Sequence, residues 1–186
     1  LTSGYKKKIN KSQIFERDRE SIKVLKKIGV REKNIIFLGK KFDIQCNKLY
    51  LNINKAYKEI YNLAKKTTPY KLVTLSWEGG HEDHDACNLI GRKISYKFNI
   101  IKNSKEFSLY NAFKTKLIYF KVFNPIQEKG ILVRTNFYNR LFLISLLFTY
   151  RSQIKIWIGL YPFIIYHYLF LGYNMLQPLN KSKIIK

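Results

Sequence analysis

The chain has 186 residues, of which 46% are hydrophobic and 16% aromatic. That is enough for one domain burying about 70% of its unfolded surface, and it excludes intrinsic disorder. Its 35 basic and 12 acidic residues leave a net charge of +23, a balance suited to nucleic acid or an anionic membrane surface.

The sequence opens on Leu1 and its single methionine is Met175, so it reads as beginning partway through a longer product. Leu1-Thr2-Ser3-Gly4 resembles the tail of a strand. No targeting signal is legible, because Lys6, Lys7 and Lys8 precede no apolar run. Phe15, Ile22, Leu25 and Ile28 recur near helical spacing, and Gly29 stands where a helix C-cap belongs. Ile35-Ile36-Phe37-Leu38, ended by Gly39, reads as a short buried strand. Ile53, Ala56, Tyr57, Ile60, Leu63 and Ala64 form an apolar helical stripe with Pro69 beyond its end. Leu72-Val73-Thr74-Leu75 is the next expected strand. A Trp77–Gly80 loop follows, and then a helix from about Asp83 to Lys97.

Strand and helix alternating through short connections predict an α/β fold with a mostly parallel sheet and flanking helices. Ligands in such sheets bind beyond the carboxyl ends of strands, which places Gly4, Gly39 and the Trp77–Gly80 loop on one rim. Later, Phe107–Tyr110 and Leu117–Phe123 read as strands. Leu141–Tyr150 and Ile154–Leu171 read as apolar helices, within a helical C-terminal part spanning about 135–175. Ile156–Tyr173 carries no formal charge, but Gly159, Pro162 and His167 interrupt it. It is read as a buried or membrane-touching helix near the lower end of the spanning range of about 17–25 residues.

The lysines are scattered through every segment, with no Arg-rich arm and no aromatic RNA-binding signature. Specific nucleic-acid binding is therefore the lesser expectation, and the excess of Lys, Ile, Asn, Tyr and Phe reads as compositional drift. A nucleic-acid binder would present a contiguous positive face. Cys46 and Cys87 have neither metal-type spacing nor a redox CxxC, which makes a reducing cytoplasm the default location.

Two of the three histidines fall in Glu78-Gly79-Gly80-His81-Glu82-Asp83-His84-Asp85. Histidines three apart at a helix start can aim both rings into one space. The helix N-terminus disfavours imidazolium, leaving a neutral ring able to bind metal. Flanking carboxylates can orient a ligating ring through its second nitrogen. Two histidines at a polar helix start are also a common surface feature. His167, within Tyr166-His167-Tyr168, reads as a packed residue.

The string Trp77 to Ala86 resembles the second signature of the LmbE-like superfamily, the N-acetylglucosaminyl-phosphatidylinositol de-N-acetylases (PIG-L) and their bacterial relatives. That signature is usually written GGHPDH, so Glu82 stands in place of the proline. Further matches follow in family order. They are Thr2-Ser3-Gly4, Arg17-Asp18-Arg19-Glu20 with Ile28-Gly29-Val30, Phe37-Leu38-Gly39 with Asp43, Glu106 to Tyr110, and Tyr150-Arg151-Ser152-Gln153. The family's first signature, AHPDDE, is absent from these 186 residues.

The resemblance implies a single, N-terminally incomplete domain over 1–186 with a Rossmann-like sheet whose first strand is truncated. It also implies a zinc-dependent N-deacetylase acting on an N-acetyl amino sugar or glycolipid. His84 maps to a zinc ligand, and His81 to the donor that stabilises the oxyanion and leaving amine. Arg17 and Asp43 map to sugar-contacting positions, and Asp83 supports the ligands from behind. The remaining zinc ligands and the general base belong to AHPDDE, so these residues alone are expected to be catalytically silent. Without the resemblance, Arg17 reads equally as a surface partner of Glu20, Asp43 as a turn residue and Asp83 as a helix-start carboxylate. A non-catalytic family member that binds a glycan or a partner is the alternative from another class. The basic charge would help a peripheral contact with anionic membrane from the cytoplasmic side.

Overall fold

The computed structural model describes residues 1–2, 11–115, 120–126 and 130–179. In chain order the elements begin with α1 (Lys11–Lys27), α2 (Leu38–Phe42) and α3 (Ile53–Thr67). They continue with β1 (Val73–Leu75), α4 (Glu82–Lys97), β2 (Lys105–Phe107), β3 (Tyr110–Asn111) and β4 (Lys121–Val122). The last are β5 (Ile131–Arg134), α5 (Phe137–Leu147), α6 (Ile154–Trp157), α7 (Tyr161–Tyr166) and β6 (Tyr173–Pro178). They are distributed over two compact units, the first comprising Leu1, Asn47–Val133 and Asn174–Lys186, the second Thr2–Cys46 and Arg134–Tyr173.

The first unit holds a four-stranded sheet in the order β1-β2-β6-β5. β1 and β2 are parallel, with Val73 opposite Lys105 and Leu75 opposite Phe107, whereas β2 and β6 are antiparallel. The fold is α/β with flanking helices, but the sheet is mixed where a mostly parallel one was expected. The chain returns through β6, a six-residue strand that the sequence reading did not anticipate. α4 lies on β1 so closely that a Cβ on Gly91 would stand 2.8 Å from the Thr74 side chain. α3 packs on α4, with Ala56 and Ala64 buried on its apolar stripe.

Under α4 the core is ionic. Arg92, 2% exposed, donates to Glu106 Oε2 at 2.5 Å and to Asn88 Oδ1 at 2.6 Å. Asn88 in turn donates to Leu75 O and to Glu106 Oε2. Every member is satisfied, which is the condition on which a buried charge pair is tolerated.

In the second unit, α1 ends where expected. Gly29 takes φ 91°, and the Gly29 and Val30 amides donate back to Lys26 O and Leu25 O, a left-handed cap. Ile35–Leu38 is not a strand. Residues 35–37 are irregular with Ile36 55% exposed, and Leu38 opens α2. Four apolar residues carry no period that distinguishes a strand from a helix start. The apolar stretch Ile154–Leu171 is likewise not one helix. Pro162 lacks an amide to continue α6 and instead starts α7, and a π-helical turn at His167–Leu171 ends on Gly172 with φ 62°. Among the described residues no helix is long and apolar enough to cross a membrane. The strand expected at Phe107–Tyr110 divides into the end of β2 and the start of β3. That expected at Leu117–Phe123 shortens to β4, with residues 117–119 outside the described ones. Leu1 and Thr2 are not in a strand, and Ser3 and Gly4, including the expected place of Gly4 on the rim, lie outside the described residues.

Candidate functional site

The carboxyl ends of β1 and β2 lie side by side because the two strands are parallel. Past β1 the chain runs through Ser76 to Gly80, with Gly79 at φ 68°, and then enters α4. Asp85 holds this loop, its Oδ1 accepting from the Glu78 and Gly79 amides at 2.9 and 3.2 Å. His81 is the N-cap of α4, and its Nδ1 accepts from the Asp83 amide at 3.2 Å. A ring that accepts at Nδ1 carries its proton on Nε2 when neutral. His81 is therefore built as an Nε2–H donor.

His84, one turn further, stacks on His81 with ring centroids 4.3 Å apart and planes 11° from parallel. Its Nδ1 lies 3.1 Å from Glu78 Oε2, with both side chains largely buried. The other Glu78 oxygen accepts from the Ser108 hydroxyl and, at 3.0 Å, from the Leu109 amide just past β2. Asn111 Nδ2 contacts Ser108 Oγ, and Tyr110 meets the His84 ring edge-on at 5.6 Å. A carboxylate that accepts the Nδ1 proton leaves Nε2 as the lone-pair nitrogen, the arrangement typical of a ligating histidine. The two histidines are thus opposite tautomers in one stack, one a donor and one an acceptor at Nε2.

Asp83 lies in the first turn of α4. It is 5% exposed and its oxygens accept from the Asn47 amide at 2.7 Å and the Leu49 amide at 3.1 Å. It anchors the Asn47–Leu49 turn to the helix start, while its backbone amide sets the His81 tautomer. In the next turn the Cys87 thiol is pushed up to about 11 by burial, so it is protonated at neutral pH and is no ready thiolate ligand. Neither cysteine is in a disulfide.

Arg17 and Asp43 fall in the second unit, apart in assignment from His81, Asp83 and His84. Arg17 lies in the middle of α1. Asp43 is the exposed left-handed residue that closes α2, with φ 52° and its amide on Gly39 O, so it occupies a turn position. Glu20, three residues further along α1, is 8% exposed. It is buried and accepts from the Ser152 amide at 2.9 Å and the Ser152 hydroxyl at 2.6 Å. A cavity of about 750 Å³ in this unit is lined by Phe15, Asp18, Glu32, Phe37 and Lys40 among others. Its lining includes neither histidine, so it is not the pocket expected around them.

Glu78, Ser108 and Tyr110 are the members of the site that sequence reasoning missed. Glu78 stood in the motif as one of several flanking acids, and nothing in its spacing says that it folds back six residues onto His84. Ser108 and Tyr110 become neighbours only through the parallel pairing of β1 and β2. No family model, curated protein or solved structure matches the chain.

Proposed function

We propose that the chain carries the second-signature half of a zinc-dependent amino-sugar N-deacetylase site, on a Rossmann-like sheet of the LmbE kind. The observation that supports it most is the His84 ring, fixed through Nδ1 by buried Glu78 and stacked on an Nε2–H histidine. Two further observations favour it. The segments that carry the resemblance meet in pairs: Trp77–Ala86 touches Glu106–Tyr110 through Glu78 and His84, and Arg17–Glu20 touches Tyr150–Gln153 through Glu20 and Ser152.

The donor chemistry at His84 fits zinc, which takes neutral imidazole nitrogen. Each Asp83 oxygen accepts one backbone amide and keeps a further lone pair that could serve a cation. A catalytic zinc needs about three protein ligands, and the AHPDDE signature that would complete the set is not in this sequence. Zinc, when bound, acidifies a water and polarises an acyl carbonyl. The rest is performed by protein groups. Glu78 keeps the His84 proton on Nδ1. The Asp83 amide keeps the His81 proton on Nε2, where it can be donated to an oxygen gaining charge or to a departing amine.

The test uses a protein carrying both signatures, with zinc content and acetate release from N-acetylglucosamine derivatives measured together. His84→Ala should lose zinc and activity together. His81→Ala should keep its zinc and lose on the order of 10²–10³ in rate, the usual effect of removing one oxyanion donor. Zinc lost from His81→Ala and kept by His84→Ala would reverse the two roles. Stoichiometric zinc without acetate release from any such derivative would remove the deacetylase reading.

A further inference from the structure

We infer that the exposed face of α5 docks on an anionic lipid surface. α5 is apolar on nearly every side, yet Leu146 is its only residue that the structure buries. Phe137, Tyr138, Leu141, Phe142 and Phe148 are 55%, 82%, 42%, 39% and 53% exposed. Their spacing i, i+1, i+4, i+5, i+11 gathers them on one side of the helix, with Ser145 the polar residue among them. The π-helical turn at His167–Leu171 packs on α5 and adds Phe170, 69% exposed. A helix this apolar belongs inside a core or against a membrane, and here its aromatic side faces outward.

Charge says which surface covers it. From Ile131 to Lys186 the sequence contains no Asp or Glu. Arg134 stands just before α5, Arg151 and Lys155 just after it, and all three are exposed. The carboxylate that does reach this part of the unit, Glu20, is buried and taken up by Ser152. Apolar aromatics beside cations alone match an anionic interface, where apolar burial and headgroup attraction add. The contact inferred lies in the plane of the interface, as an apolar helix face flanked by cations allows. The inference does not depend on the histidine site.

The test is sedimentation of the 186-residue chain with phosphatidylcholine vesicles, with and without phosphatidylglycerol. Binding is expected only with phosphatidylglycerol. Net charge alone could produce that result, so the deciding variant keeps the charge: Tyr138→Ser with Phe142→Ser should weaken partitioning on the order of tenfold or more. Tyr138→Trp serves as an independent reporter on an open position, and its added emission should shift blue on the anionic vesicles. Equal partitioning of wild type and the double variant, or unshifted emission from the Tyr138→Trp variant, would overturn the inference. So would a concentration-dependent dimer abolished by the double variant, which would assign the face to a second copy.

Discussion

The carboxylate of Glu78 has one oxygen committed to Ser108 and Leu109 and the other to His84, so its replacement by an amide has a defined outcome. In Glu78→Gln the amide oxygen stays with the two donors, and the NH₂ group turns toward His84 Nδ1. The ring must then carry its proton on Nε2, where it can no longer ligate. Zinc affinity in a protein with both signatures should fall about 10–100-fold, with the fold retained and an Nε2–H signal for His84 in ¹⁵N NMR. Unchanged affinity would mean that Glu78 is only a loop anchor. His167 offers a test in the other unit. Burial lowers its pKa below the ordinary 6.5, against a smaller opposing effect of its hydrogen bond to Tyr173 O. A depressed folded value means that the unfolded chain takes up protons first. The contribution of His167 to stability is therefore complete above about 6.5 and declines as pH falls toward the folded value. Thermal melts from pH 8 to pH 5 should show this loss, and His167→Gln should flatten it.

Between α4 and β1 the packing leaves no space for a side chain at Gly91. Gly91→Ala sets a methyl against Thr74 Cβ, Cγ2 and Oγ1, and overpacking of this kind costs about 1–3 kcal/mol. A gain in stability from the better helix former, as expected for an exposed helix glycine, would show that α4 can rise off the sheet; chemical denaturation decides. The contact also marks the limit of what the sequence discloses. Long amphipathic elements were legible: the α3 stripe from Ile53 to Ala64, the helix after His81, and Gly29 as a cap all follow from local periodicity and backbone chemistry. Short apolar runs were legible only in part. Val73–Leu75 and Ile35–Leu38 look alike in sequence, and only pairing with Lys105–Phe107 makes the first a strand. The histidine pair was legible because both members sit within one turn. The partners of His84 were not, since Glu78 reaches it through a glycine turn and Ser108 and Tyr110 through another strand.

For the whole molecule the dominant physical fact is a charge of +23 with only 12 acidic residues to offset 35 basic ones. Surface ion pairs such as Lys26–Glu32 at 3.1 Å and Asp18–Lys40 at 3.5 Å are of a kind worth little. The strong pair, Arg92–Glu106, is buried beyond the reach of salt. Folding therefore concentrates like charges that the unfolded chain keeps apart, and the resulting self-repulsion is long-ranged. Added salt shortens the screening length from about 10 Å at 0.1 M to about 3 Å at 1 M. It should relieve the repulsion while removing almost no favourable attraction. The melting temperature is accordingly expected to rise by a few degrees between about 0.05 and 0.5 M sodium chloride, and further in sulfate, which also strengthens apolar burial. Binding to heparin or to DNA should weaken over the same range and show no dependence on base sequence, as scattered lysines without base-reading side chains require. A melting temperature that falls as chloride rises would show that surface attractions outweigh the net charge. Sequence-dependent DNA binding that survives about 0.5 M salt would restore nucleic-acid recognition as the purpose of the charge.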